Sequence, residues 1–241
     1  MSSEQPIVVL VHGAFAESAS WNGVIERLRA AGLDAVAVGN PLRDVPGDGA
    51  YVRDVIAGLD RPVVLVAHSY GGMVITEAAA GVPAVRSLVY VAGFAPEPEE
   101  TAFQLSEKFE GSTLGAALES YPVSSGGNEL RIADDKFHDQ FCADVDAGQA
   151  ALMAATQRPV TERALTGALS VDEPAWRTTP SWFVFGELDR NIPAALMQFL
   201  AERASSRGTR EILGASHALA VSEPEAVTTT ILEAADLVPV S

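Results

Sequence analysis

"VAHSYGGMV", residues 66–74, sets a serine between an apolar run and a pair of glycines, with a histidine beside it. A serine that precedes a helix is usually an N-cap, so Ser69 taken alone reads as a hydroxyl satisfying a helix terminus. It becomes a nucleophile if the chain turns sharply there and a base and an acid reach it from elsewhere. Gly71 and Gly72 are the small residues such a turn needs, and they let the following helix pack close under the strand. Crowding also calls for a small residue two positions before the serine. That residue is Ala67, so the motif reads A-x-S-x-G-G where the usual pattern opens on glycine.

Outward from Ser69, short β-branched runs recur: "IVVLVH" (7–12), "DAVAVG" (34–39), "PVVLVAH" (62–68), "SLVYVAG" (87–93), "SWFVFG" (181–186) and "TREILG" (209–214). They are apolar almost throughout rather than alternating, as strands covered on both faces must be, which predicts a parallel sheet. Between them lie helical stretches. "SASWNGVIERLRAAG" carries Trp21, Val24, Ile25 and Leu28 on one face, with Ser18 or Ser20 as cap and Gly32 as stop. "AYVRDVIAGL", "MVITEAAAG", "AALMQFLAERAS" and "PEAVTTTILEAADL" read the same way. The alternation predicts a doubly wound, mostly parallel α/β sheet.

The pattern breaks once. From about Pro96 to Trp176 no strand is expected, and the segment reads as helical or irregular, entered through "APEPEE" and left through "DEPAW". The division is therefore a core made of residues 1–95 and 177–241, with residues 96–176 as a helical insertion covering the sheet. Its apolar residues Phe103, Leu105, Phe109, Leu114, Phe137, Phe141, Met153 and Trp176 are expected to form its own core, with some facing substrate.

In such a sheet, sites lie beyond the carboxyl ends of the strands. Ser69 follows "PVVLVAH", Asp189 follows "SWFVFG" and His217 follows "TREILG", and serine, acid, histidine is the chain order that accompanies a nucleophilic turn on this architecture. A serine hydroxyl needs a base to take its proton, and a carboxylate on the other imidazole nitrogen fixes the tautomer. Glu187 shares the "FGELDRNIP" loop, but Asp189 sits further round the turn and is the expected acid. The backbone N–H groups of Ala14, in "HGAF", and of Tyr70 are the expected oxyanion donors. His12 reads as a structural hydrogen-bonder beneath the loop, and His68 as facing away from Ser69.

A formal charge of −16, with 16 Lys and Arg scattered rather than striped, opposes nucleic-acid binding. Cys142 is the only cysteine, which excludes an intrachain disulfide and any cysteine-built metal site. His138 in "DDKFHDQF" has carboxylates on both sides but reads as solvated charge, so no metal is assigned. "MSSEQPIVVLVHG" lacks a basic leader, and no apolar run reaches the roughly 18 residues of a membrane span. A cytoplasmic protein with a small-molecule substrate, no cofactor and no membrane partner is expected; oligomeric state carries no signal.

"VLVHGAFAESASW", "VAHSYGGMV", "FGELDRNIP" and "GASHALAVSEPEAV" together resemble the α/β-hydrolase superfamily, and within it the branch of plant methylesterases and hydroxynitrile lyases with their bacterial esterase-like relatives. The likeness spans nearly the whole chain except the insertion, where only "VAGFAP" matches. It implies Ser69 as nucleophile, His217 as base, Asp189 as acid, Ala14 and Tyr70 as oxyanion donors, and a helical cap over the site. The activity implied is cofactor-independent cleavage of a carboxylic ester, with epoxide opening, lyase chemistry or ligand sensing as rivals. The lyases of this branch carry a threonine just after the first strand and a lysine directly after the histidine; here those positions are Gly13 and Ala218.

Overall fold

The computed structural model describes residues 5–124 and 126–236. The first four residues of "MSSEQPIVVLVHG" and Leu237 of "PEAVTTTILEAADL" lie outside them. In chain order the core elements are β1 (Ile7–Val11), α1 (Asn22–Ala30), β2 (Ala35–Val38), α2 (Val45–Leu59), β3 (Val63–His68), α3 (Gly71–Ala78) and β4 (Val85–Val91). The next segment holds α4 (Ala102–Ser106), β5 (Leu118–Pro122), β6 (Asn128–Ile132), α5 (Asp134–Phe141), α6 (Ala147–Thr156), β7 (Val160–Thr161) and α7 (Glu162–Thr166). The core resumes with β8 (Ser181–Gly186), α8 (Ala194–Arg203), β9 (Gly208–Ile212), α9 (Leu219–Ser222) and α10 (Pro224–Ala234).

Six strands form one sheet in the order β2-β1-β3-β4-β8-β9, all parallel. Every residue of β1, β3 and β8 is buried, the outcome that their unbroken apolar runs require, whereas the edge strands β2 and β9 are only partly covered. Right-handed crossovers put α1 on one face and α2, α3 and α8 on the other, because the order steps left from β1 to β2 and right thereafter. α1 packs on α10, and α2 on α3. The reversal of direction opens a crevice beyond the ends of β1 and β3, which pair with Val11 opposite Ala67.

Residues 96–176 correct one expectation. They are not strandless: β5, β6 and β7 form a three-stranded antiparallel sheet among the helices. "LESYP" and "NELRI" are short and half polar, and a strand of two residues, Val160–Thr161, has no periodicity to read. Gly126 and Gly127, both at positive φ, make the turn between β5 and β6. The segment's two ends meet, since Trp176 Nε1 donates to the Pro96 carbonyl at 2.9 Å and Arg177 pairs with Glu97.

Candidate active site

Ser69 terminates β3 at φ +55°, a left-handed conformation that a residue with a Cβ adopts only when its surroundings impose it. Here they do. Its N–H donates to the carbonyls of Val91 and Ala92, and its own carbonyl accepts from Gly72 N at 2.9 Å and Phe94 N at 3.2 Å. The end of β4 thus clamps the turn from both sides. A Cβ on Gly72 would lie 2.2 Å from the Phe94 carbonyl oxygen, so no other residue fits that close approach. A Cβ on Gly71 would meet the Ala67 methyl at 3.3 Å; with glycine at 71, the methyl that replaces the usual glycine hydrogen at 67 is accommodated.

His217 and Asp189 arrive from the loops after β9 and β8. Asp189 Oδ2 lies 2.6 Å from His217 Nδ1, with both side chains sealed from solvent. The other carboxylate oxygen accepts from Asn191 N at 2.7 Å and Ile192 N at 2.9 Å, so the loop's own backbone aims it. A carboxylate can only accept, which puts the imidazole proton on Nδ1 and leaves the lone pair on Nε2. That Nε2 is buried and has no hydrogen-bond partner among the described residues, Ser69 included. The neighbouring Glu187 is exposed and accepts from Gly214 N at 2.9 Å, which ties it to the turn after β9 and not to the imidazole.

His68 packs against His217, a contact its sequence reading did not include. Its ring lies 4.5 Å from that of His217, and Nε2 donates to the His217 carbonyl at 2.9 Å. Phe141 of α5 meets the His217 ring edge-on at 5.0 Å. Burial first, and then the nearby His217, holds His68 well below the usual histidine range, so it is a neutral support for its neighbour. His12 fits its structural reading: Nε2 accepts from Asn40 N at 3.1 Å and Nδ1 donates to the Gly13 carbonyl at 2.9 Å. Burial lowers its pKa to about 4.

Ser69, Ala14 and Tyr70 share the wall of a cavity of about 590 Å³. Neither the Ala14 nor the Tyr70 N–H donates a backbone hydrogen bond among the described residues. Tyr70 is anchored at its other end, its hydroxyl donating to the buried Asp48 at 2.9 Å. Much of the remaining wall comes from residues 102–118, with Phe103, Phe109 and Leu114 facing the cavity, whereas Leu105, Phe137 and Phe141 are buried in the core. Asn191, to which the sequence assigned no role, also lines this cavity. Outside it, His138 Nε2 bonds the Val145 carbonyl, and burial pushes the Cys142 thiol up to about 12.

Residues 8–230 match the alpha/beta hydrolase family. The chain is 26% identical over 255 residues to the alpha/beta hydrolase nvfD of Aspergillus novofumigatus (strain IBT 16806), spanning 96% of this chain and 97% of that protein. It is 25% identical over 190 residues to methylesterase 9 of Arabidopsis thaliana, covering 76% and 74% respectively. The crystal structure of polyneuridine aldehyde esterase superposes with a TM-score of 0.80 at 19% identity, covering 95% of this chain and 99% of that one. That last likeness is one of fold.

Proposed function

Because the chain belongs to the alpha/beta hydrolase family, we propose that it is a serine hydrolase that cleaves a carboxylic ester of a small apolar substrate. The observation that carries this reading is the buried Asp189–His217 pair at 2.6 Å, which leaves the Nε2 lone pair bare on a residue whose carbonyl is bonded to His68, the neighbour of a serine held at φ +55° on a cavity wall. Esterase names among the relatives support the same reaction class.

In this scheme Ser69 Oγ attacks the ester carbonyl while His217 Nε2 takes the hydroxyl proton. The tetrahedral oxyanion draws on the N–H groups of Ala14 and Tyr70; one such donor is typically worth about 3 to 4 kcal/mol in the transition state. His217 then passes the proton to the departing alkoxide, leaving an acyl-serine and a free alcohol. Water gives a proton to the same Nε2, attacks the acyl carbonyl, and releases the carboxylic acid as Ser69 regains its hydrogen. Every step uses groups of this chain. Residues 96–176 act as the cap that selects the substrate, since they supply much of the cavity wall. The single cysteine accords with a cytoplasmic location.

The lyase rival is disfavoured at Gly13, where even a methyl would lie 2.6 Å from Ser69 Cβ and leave no room for a threonine. Multiple-turnover hydrolysis of p-nitrophenyl esters by the wild type, lost in Ser69→Ala, is the expected result. Product that stops at one equivalent would favour a ligand sensor.

A further inference from the structure

Asn191 follows the acid by two residues and is 2% exposed. The orientation of its side-chain amide follows from its neighbours. The Arg190 carbonyl can only accept, so the Gln140 atom 2.9 Å from it is Nε2. The second hydrogen of that NH2 group points to the Asn191 side chain at 2.7 Å, and the atom receiving it must be Oδ1. The Gln140 Oε1 is in turn held by the Thr113 hydroxyl at 2.8 Å. With Oδ1 engaged, Asn191 Nδ2 is the free end, and it is buried with no partner among the described residues.

A buried amide donor without an acceptor is costly, and it calls for a reason. Asn191 lines the same cavity as Ser69, so the missing partner can be supplied by whatever occupies that cavity. The charge of the wall constrains it further. No Lys, Arg or His is among the lining residues, while Glu107 and Glu110 are. An anionic acceptor would meet like charge and find no cation to offset its desolvation.

We propose that Asn191 is a substrate-binding residue whose Nδ2 donates a hydrogen bond to a second, neutral oxygen of the substrate, a ketone, ether or further ester carbonyl apart from the scissile one. This names the substrate class within the ester-hydrolase reading and rests on it. The preferred substrate is then an apolar ester with one additional uncharged acceptor. Thr113 and Gln140 are positioning residues that keep the amide from turning over.

The test compares kcat/KM for methyl hexanoate, for the methyl oxohexanoates with the ketone at successive chain positions, and for monomethyl adipate. At least one ketone position is expected to exceed the plain ester by about three- to tenfold, the usual worth of one neutral hydrogen bond, with the carboxylate-bearing ester the poorest. In Asn191→Leu the ratio of ketone to plain ester falls to near one regardless of the absolute rates. A merely structural Asn191 would lower both esters together and leave the ratio intact. Asn191→Asp, of nearly the same volume, removes the donor and drives the ratio below one. Titration of the same esters into Ser69→Ala by calorimetry reads the preference without turnover, so failure of hydrolysis counts against the esterase reading alone. Equal kcat/KM for every ketone position and the plain ester, a ratio that survives Asn191→Leu, or a preference for the carboxylate overturns the proposal.

Discussion

His68 Nε2 donates to the backbone carbonyl of His217 at 2.9 Å, and the two imidazole rings lie 4.5 Å apart. The residue immediately before Ser69 is therefore fastened to the loop that carries His217, so the end of β3 sets the position of both. Being neutral, His68 adds no charge that would oppose protonation of His217 in the proposed acylation. His68→Leu removes the hydrogen bond and the ring contact while keeping the site apolar; kcat is expected to fall by about tenfold with KM little changed. His68→Gln, which keeps an N–H donor, should recover part of the loss. Steady-state kinetics on one p-nitrophenyl ester checks both.

Acid sensitivity follows from the buried histidines. His12 titrates near 4 in the folded chain against 6.5 in the unfolded one, so the unfolded state binds more protons between those values. Its contribution to stability is complete above pH 6.5 and is lost as pH falls toward 4, by on the order of 3 kcal/mol. His68 acts in the same direction. Asp48, whose pKa is raised chiefly by burial, has the opposite sign: its contribution is complete below 3.8 and declines as pH rises through its folded value. Urea midpoints measured from about pH 7 down to about pH 4.5 should decline, and decline less steeply in His12→Asn.

The proposed acid can be told from its neighbour by substitution. Asp189 is buried against His217 Nδ1, whereas Glu187 is exposed and bonded to Gly214 N. Loss of the orienting carboxylate in a Ser-His-Asp system lowers kcat by about 10⁴-fold. Asp189→Asn should therefore lose several orders of magnitude while remaining folded by circular dichroism, and Glu187→Gln only a few-fold. The reverse ranking would move the role to Glu187.

The fold and the site differed in how far they could be read from the chain. Strands such as Val63–His68 were legible because a parallel sheet buries both faces and writes itself as an unbroken apolar run. Ser69, Asp189 and His217 were legible as candidates because the architecture puts strand ends on one edge. β5 and β6 were not, although the glycines at 126 and 127 between two short mixed runs were a hairpin signal. The support that His68 gives His217 could not be read because it joins residues 149 apart in the chain. Asn191 could not be read at all, since its free amide depends on Gln140, 51 residues away.

The cavity wall offers a test of substrate choice. Leu114 faces the same space as Ser69 but belongs to the segment between β4 and β5. Leu114→Trp fills part of the 590 Å³. Its kcat/KM for long-chain p-nitrophenyl esters should drop by about tenfold or more relative to the acetate, because an overfilled pocket rejects volume and spares small acyl groups. An unchanged chain-length profile would mean that substrate is selected elsewhere.

The central claim is that Ser69 is an activated nucleophile, and covalent labelling tests it most directly. A fluorophosphonate probe, followed by proteolysis and mass spectrometry, is expected to give one adduct, on the peptide containing Ser69, with none in Ser69→Ala. An adduct on another residue, or labelling undiminished in Ser69→Ala, would contradict the account.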